Sequence, residues 1–161
     1  MIRPAVLRRV TRLLVLLGVA VAAAMFFNRI EKLRIPVTDQ SMDPTYPGGT
    51  TVFIDDLAPD APLPRGVDVV YTVERDGTTY ARFGRVQGLP GDDVGAKGGR
   101  LTVNGELVGP AGIPGEAMGR VREGTVLILA INPAETRYPD SRALGFIPRA
   151  NVVARIRASM R

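Results

Sequence analysis

Leu101-Thr102-Val103-Asn104-Gly105-Glu106-Leu107-Val108 is two short runs, Leu-Thr-Val and Glu-Leu-Val, on either side of an Asn-Gly pair. Asn-Gly supplies the two positive-φ positions of a tight hairpin turn, so the stretch predicts strands at 100–103 and 106–108 paired with each other. Working outward, further short apolar runs bounded by Gly, Pro and Asp occur at 50–54, 67–73, 79–87, 125–131 and 152–156, and each reads as a strand. The 18 glycines and 13 prolines in 161 residues suit a turn-rich β structure better than a helical bundle. The expected body is therefore all-β, a folded-over, barrel-like sheet. Residues 29–36 read as a short connector and 110–122, which lack periodicity, as a surface loop.

Composition removes many chemistries. The chain has no Cys and no His, which excludes disulfides, thiolate nucleophiles, His-based triads, and imidazole or thiolate zinc sites. No metal and no cofactor is expected. Of the 21 basic residues only Lys32 and Lys97 are lysines. The net charge of +5 is unevenly placed: residues 1–34 hold seven basic groups and one acid, and the remainder holds 14 basic and 15 acidic groups. A near-neutral body without Trp has neither a phosphate-neutralising face nor a stacking platform, so no nucleic-acid partner is expected.

Residues 13–27 carry no polar side chain. As a helix they rise about 22 Å, short of the roughly 30 Å hydrocarbon core. Arg8, Arg9 and Arg12 can extend the span by snorkelling. The segment 1–28 thus reads as an N-terminal membrane anchor, a single transmembrane helix in contact with lipid, ahead of a body at 29–161. A cleaved signal peptide has the same ingredients, including Ala22-Ala23-Ala24. The basic flank favours an N-terminus in the cytoplasm and a body outside it, at the cytoplasmic membrane.

Four further stretches stand in order along the body. They are Thr38-Asp39-Gln40-Ser41-Met42-Asp43-Pro44-Thr45; Gly84-Arg85-Val86-Gln87-Gly88-Leu89-Pro90-Gly91-Asp92; the 101–108 hairpin; and Asp140-Ser141-Arg142 followed by Gly145-Phe146-Ile147-Pro148. Together they resemble the signal peptidase I family. Its boxes are Ser-Met-x-Pro-Thr, Lys-Arg-Val-x-Gly-Leu-Pro-Gly-Asp, a Val-Asn-Gly hairpin, and Asp-Ser-Arg leading to a Gly-x-Val-Pro strand. The resemblance covers residues 36–156 and implies a membrane-anchored serine endopeptidase that processes signal peptides of exported precursors. It also favours an uncleaved anchor over a cleaved signal. Ser41 falls at the nucleophile position. The family activates that serine with a lysine, because an amine in apolar surroundings loses its charge and can take the hydroxyl proton.

That lysine position is Gly84. Arg82 lies on the same strand face and can bring charge toward the gap, but a guanidinium does not accept a proton. Lys32 and Lys97 stand far from the box in sequence. Asp39 falls where the family often has an oxyanion-stabilising hydroxyl, and a carboxylate there opposes negative charge. As an alternative base toward Ser41 it is weak, with an ordinary pKa near 4. The stretch Ala130-Ile131-Asn132-Pro133-Ala134-Glu135-Thr136 keeps only Asn132 of a further family box. Arg85 reads as a solvated strand residue, Asp92 as a turn cap, and Asp140 with Arg142 as an ion pair holding the C-terminal strand. Met42, Phe53, Val69 and Tyr71 are candidates for a shallow cleft or for core. Three functional readings follow: an endopeptidase acting through Ser41 with no evident base, an inactive homologue that binds exported segments or assists an active peptidase, or an anchored β-domain with an unrelated binding role that keeps the motifs as scaffold.

Overall fold

The computed structural model describes residues 12, 14–19, 30–108, 115–134, 137 and 139–160. The chain divides into two units, Met1–Glu31 and Lys32–Arg161. In the first, residues 14–19 are helical and exposed. Among the described residues no helix is long and apolar enough to cross a membrane, and most of the expected anchor lies outside those residues.

The body is almost entirely β. Its elements are β1 (Ile30–Arg34), β2 (Thr51–Asp56), β3 (Asp68–Arg75), β4 (Thr78–Gly88), β5 (Asp93–Lys97), β6 (Arg100–Val103), β7 (Glu106–Leu107), β8 (Gly119–Arg120), β9 (Thr125–Leu129), a single turn of helix α1 (Ser141–Leu144), β10 (Ile147–Pro148), a 3-10 turn (Arg149–Asn151) and β11 (Val152–Met160). They form a seven-stranded sheet in the order β1-β2-β11-β3-β4-β9-β10 and a four-stranded sheet in the order β7-β6-β5-β8.

The larger sheet is built on the β3–β4 hairpin, which pairs without interruption from Asp68 opposite Arg85 to Arg75 opposite Thr78. Its turn places Asp76 and Gly77 at φ 53° and 71°, the left-handed geometry that a two-residue hairpin loop requires. Strand alternation then sorts the core. Val70 and Phe83 pack with Ile35, Met42, Val52, Ile54, Ala154 and Ile156. On the other face Val69, Tyr71 and Val86 pack with Val126, Ile128, Ile147 and Val152. Val152 and Ala154 share parity yet fall in different clusters because the β11–β3 register shifts between them, the behaviour of a bulge. β9 is buried on both faces: Leu127 and Leu129 join Val94, Leu101 and Val103 of the small sheet in a third cluster.

The expected hairpin at 100–108 is present, with Asn104 and Gly105 at φ 53° and 83°. Besides β10, which was read only from the Gly-x-Val-Pro box, three strands were not legible as apolar runs. Residues 30–34, expected as a connector, form edge strand β1. β5 carries one large apolar residue, Val94, and is held by pairing with β6. β8, inside the expected loop 110–122, pairs with β5 through Gly119 and Arg120; residues 110–114 of that loop lie outside the described residues. β9 stops at Leu129, two residues short of expectation, because the chain beyond it turns toward Ser41.

Candidate active site

Residues 36–50 form a chain of turns that carries Ser41. Asp39 N–H donates to Pro36 O at 2.9 Å, Asp43 N–H to Gln40 O at 3.2 Å, and Tyr46 N–H to Met42 O at 3.0 Å. Met42, fully buried, anchors the segment in the core beside Phe83. Gly48 is required because a Cβ there would collide with Val37 O. Ser41 O accepts the Asn132 N–H at 2.9 Å, which docks the serine on the exit of β9. Asn132 thus acts through its backbone, while its side chain accepts the Ala134 N–H at 3.1 Å.

Ser41 is 2% exposed, and its Oγ makes no hydrogen bond among the described residues. Asp39, 1% exposed, does not reach that hydroxyl; its Oδ1 accepts the Ser41 backbone N–H at 2.9 Å. The carboxylate therefore occupies the backbone donor nearest the nucleophile.

Gly84 lies opposite Val69 on β4, beside the β9 pairing of Arg85 with Leu129. A Cβ at Gly84 would stand 2.5 Å from Ile128 Cγ2, 3.2 Å from Leu129 O and 3.4 Å from Tyr71 Cε1. The position is closed unless Ile128 shifts, since the first of these is shorter than real Cβ contacts essentially ever are. Tyr71 donates its hydroxyl to Pro139 O at 3.2 Å. Burial drives the Tyr71 pKa well above its ordinary value, Asp140 and Asp39 add to the rise, and Arg82 and Arg142 oppose it. A phenol so shifted is a hydrogen-bond donor and no base at neutral pH.

Arg82 is the direct cross-strand partner of Tyr71; its guanidinium lies 5.1 Å from the Tyr80 ring centroid and donates to Ala81 O at 2.9 Å. Asp140 and Arg142 form the expected ion pair at 2.7 Å. Asp140 also caps α1 by accepting the Arg142 N–H at 2.9 Å and binds β9 by accepting the Ala130 N–H at 2.8 Å. The pair thus ties α1 to β9, rather than to the C-terminal strand. Arg85 corrects its sequence reading. Instead of lying solvated it forms a two-pronged pair with Asp68, at 2.7 and 2.9 Å, because the two residues face each other across β3 and β4. Asp92 caps the Leu89-Pro90-Gly91-Asp92 turn as expected, accepting the Leu89 N–H at 2.6 Å.

The fold therefore gathers Ser41, Asp39, Gly84, Asp140 and Arg142 around the end of β9 and the Tyr71 ring, with Arg82 alongside. Arg85 is engaged with Asp68. Lys32 lies over the Phe53 ring, 5.7 Å from its centroid, and Lys97 is on β5 of the small sheet. Of the candidates for cleft or core, Met42, Val69 and Tyr71 are core. Sequence reasoning missed Ile128 and gave Ser141, though part of a matched box, no role; both roles appear only when β9 is laid against β4. Among the described residues no group of His, Cys, Asp or Glu is arranged to hold a metal.

A family profile described as signal peptidase, peptidase S26 matches residues 7–120, a span that includes Ser41, Gly84 and the hairpin. The chain belongs to the signal peptidase I family. This signal peptidase relative is also similar to the crystal structure, at 2.27 Å resolution, of a signal peptidase I from Enterococcus faecalis V583, with 22% identity over 57% of this chain and 94% of that chain and a TM-score of 0.41. No curated protein matches. Membership in the signal peptidase family ties the chain to signal-peptide processing and to precursors that carry signal peptides.

Proposed function

We propose that this chain engages the signal-peptide segment of exported precursors at the Ser41 site and does not hydrolyse it. The carrying observation is the filled base position: Gly84 offers no side chain, and Ile128 occupies the space in which one would begin. Ser41 Oγ without a hydrogen bond is a poor nucleophile, and a missing general base removes about 10²- to 10⁴-fold in rate. In this reading the N-terminal apolar segment holds the body at the outer face of the cytoplasmic membrane, where precursors emerge.

A second reading, cleavage through Ser41 itself, is favoured by one observation: among the described residues none ties up the Ser41 hydroxyl. A base supplied by the substrate or by a second protein would then complete the reaction.

The full-length chain in detergent micelles, mixed with a fluorescent precursor peptide bearing an Ala-x-Ala site, separates the two. Binding by fluorescence anisotropy with an intact peptide after prolonged incubation is the expected result. Cleavage that disappears in Ser41→Ala overturns it in favour of the second reading, and an absence of binding overturns both.

A further inference from the structure

We infer that Ile128 and Asp39, and not the missing side chain at position 84 alone, keep this site silent; the inference rests on the non-hydrolytic reading above. Gly84 cannot be treated as a gap awaiting an amine. β4 is held on one side by an unbroken register with β3 and on the other by β9, so its backbone has no direction in which to retreat. Any Cβ at position 84 must displace the Ile128 γ-methyl, 2.5 Å away. Ile128 is itself fully buried, and its backbone N–H is held by Ser141 Oγ at 2.9 Å, so its γ-methyl gives way only at the expense of the surrounding packing. The apolar core has closed over the place where a base would sit.

Asp39 blocks a second requirement. When a serine oxygen adds to a carbonyl, negative charge develops on the carbonyl oxygen and needs preorganised donors. The Ser41 N–H, the donor closest to the reacting atom, is already bonded to the Asp39 carboxylate at 2.9 Å. An oxyanion would have to displace a group of like charge from a dry site, where that repulsion is strong.

The same geometry states what would restore chemistry. Position 84 is buried between Tyr71 and β9, surroundings that favour a neutral amine. With Ile128 shortened, a lysine introduced at position 84, which matches the base position of the family motif, is expected to take the Ser41 hydroxyl proton as Oγ bonds to the scissile carbonyl carbon. It then passes that proton to the departing amine as the C–N bond breaks, and water hydrolyses the resulting Ser41 ester to release the peptide carboxylic acid. Asp39→Ser removes the carboxylate and leaves a hydroxyl able to donate.

Two measurements test this. Thermal unfolding of wild type, Gly84→Ala, Ile128→Ala and the double variant forms a cycle, with Ile128→Leu as a volume-conserving substitute should Ile128→Ala fail to fold. Gly84→Ala is expected to lower Tm by several degrees in the wild-type background and to have little effect once Ile128 is replaced; equal losses in both backgrounds overturn the inference. Cleavage of the Ala-x-Ala precursor is then compared among Gly84→Lys, Gly84→Lys/Ile128→Ala and Gly84→Lys/Ile128→Ala/Asp39→Ser. The first is expected to be inactive, and the triple variant to exceed it by about 10²-fold or more, with activity lost on adding Ser41→Ala. A silent triple variant, or a Gly84→Lys variant as active as the triple, overturns the inference. Ser41-dependent cleavage by the wild type would instead overturn the functional reading beneath it.

Discussion

Ser141 Oγ accepts the backbone N–H of Ile128 at 2.9 Å, so the serine of the Asp-Ser-Arg box fixes the residue that lies over Gly84. Neighbouring Asp140 takes the Ala130 N–H at 2.8 Å. Together the two side chains serve consecutive inward-pointing donors of β9 and its exit, doing for this edge what a further strand would do. Position 84 is therefore sealed by a strand that the C-terminal box itself holds in place.

Ser141→Ala is expected to destabilise the protein by about 1–3 kcal/mol, because it leaves the buried Ile128 N–H without an acceptor. Urea unfolding measures this, and a midpoint unchanged from wild type would show that the bond contributes nothing.

Arg85→Ala is expected to cost about 1.5–3 kcal/mol, since Asp68, only 9% exposed, would lose both charge-assisted bonds. Arg85→Lys should recover only part of the loss, because an ammonium cannot reproduce the two-pronged geometry. The same unfolding experiment ranks the three proteins.

Met42→Ala should cost about 2–5 kcal/mol by opening a cavity beneath the serine turn. Its side chain is 0% exposed and packs in the Ile35, Val70 and Phe83 cluster. Calorimetry reads the loss, and a drop in precursor binding should accompany it if the turn moves.

Stability should fall in acid partly through Asp92. Burial alone would raise its pKa, but bonds from the Leu89 N–H, Asn104 and Arg65 outweigh burial and hold it below the ordinary carboxylate value. A depressed folded pKa gives stability that is present above the unfolded value, near 3.9, and is lost as pH falls from there through the folded value. Asp92→Asn should therefore be less stable than wild type at neutral pH, with the gap narrowing below about pH 4. A gap constant with pH would exclude ionisation as its source.

The hairpin was legible because Asn104-Gly105 is a local signal, and β2, β3, β4, β9 and β11 because their apolar runs reflect burial. β1, β5 and β8 were not legible, since neighbouring strands hold them more than their own side chains do. Within the site, Ser41 and Gly84 were readable as motif positions, and the vacancy at 84 was visible at once. Its occupation by Ile128 was not, because a side chain 44 positions along the chain meets it only through sheet pairing. Asp39 was readable as a misplaced charge, but its hold on the Ser41 N–H depends on turn geometry that spacing does not disclose.

Asp92 also receives Nδ2–H of Asn104 at 2.8 Å and Nη2–H of Arg65 at 2.7 Å, while Asn104 Oδ1 takes the Asp93 N–H at 2.9 Å. One carboxylate thus rivets the hairpin lobe to the trailing end of β4. Through that carboxylate, a load applied to the outer strands of the lobe is delivered to the strand that contains Gly84.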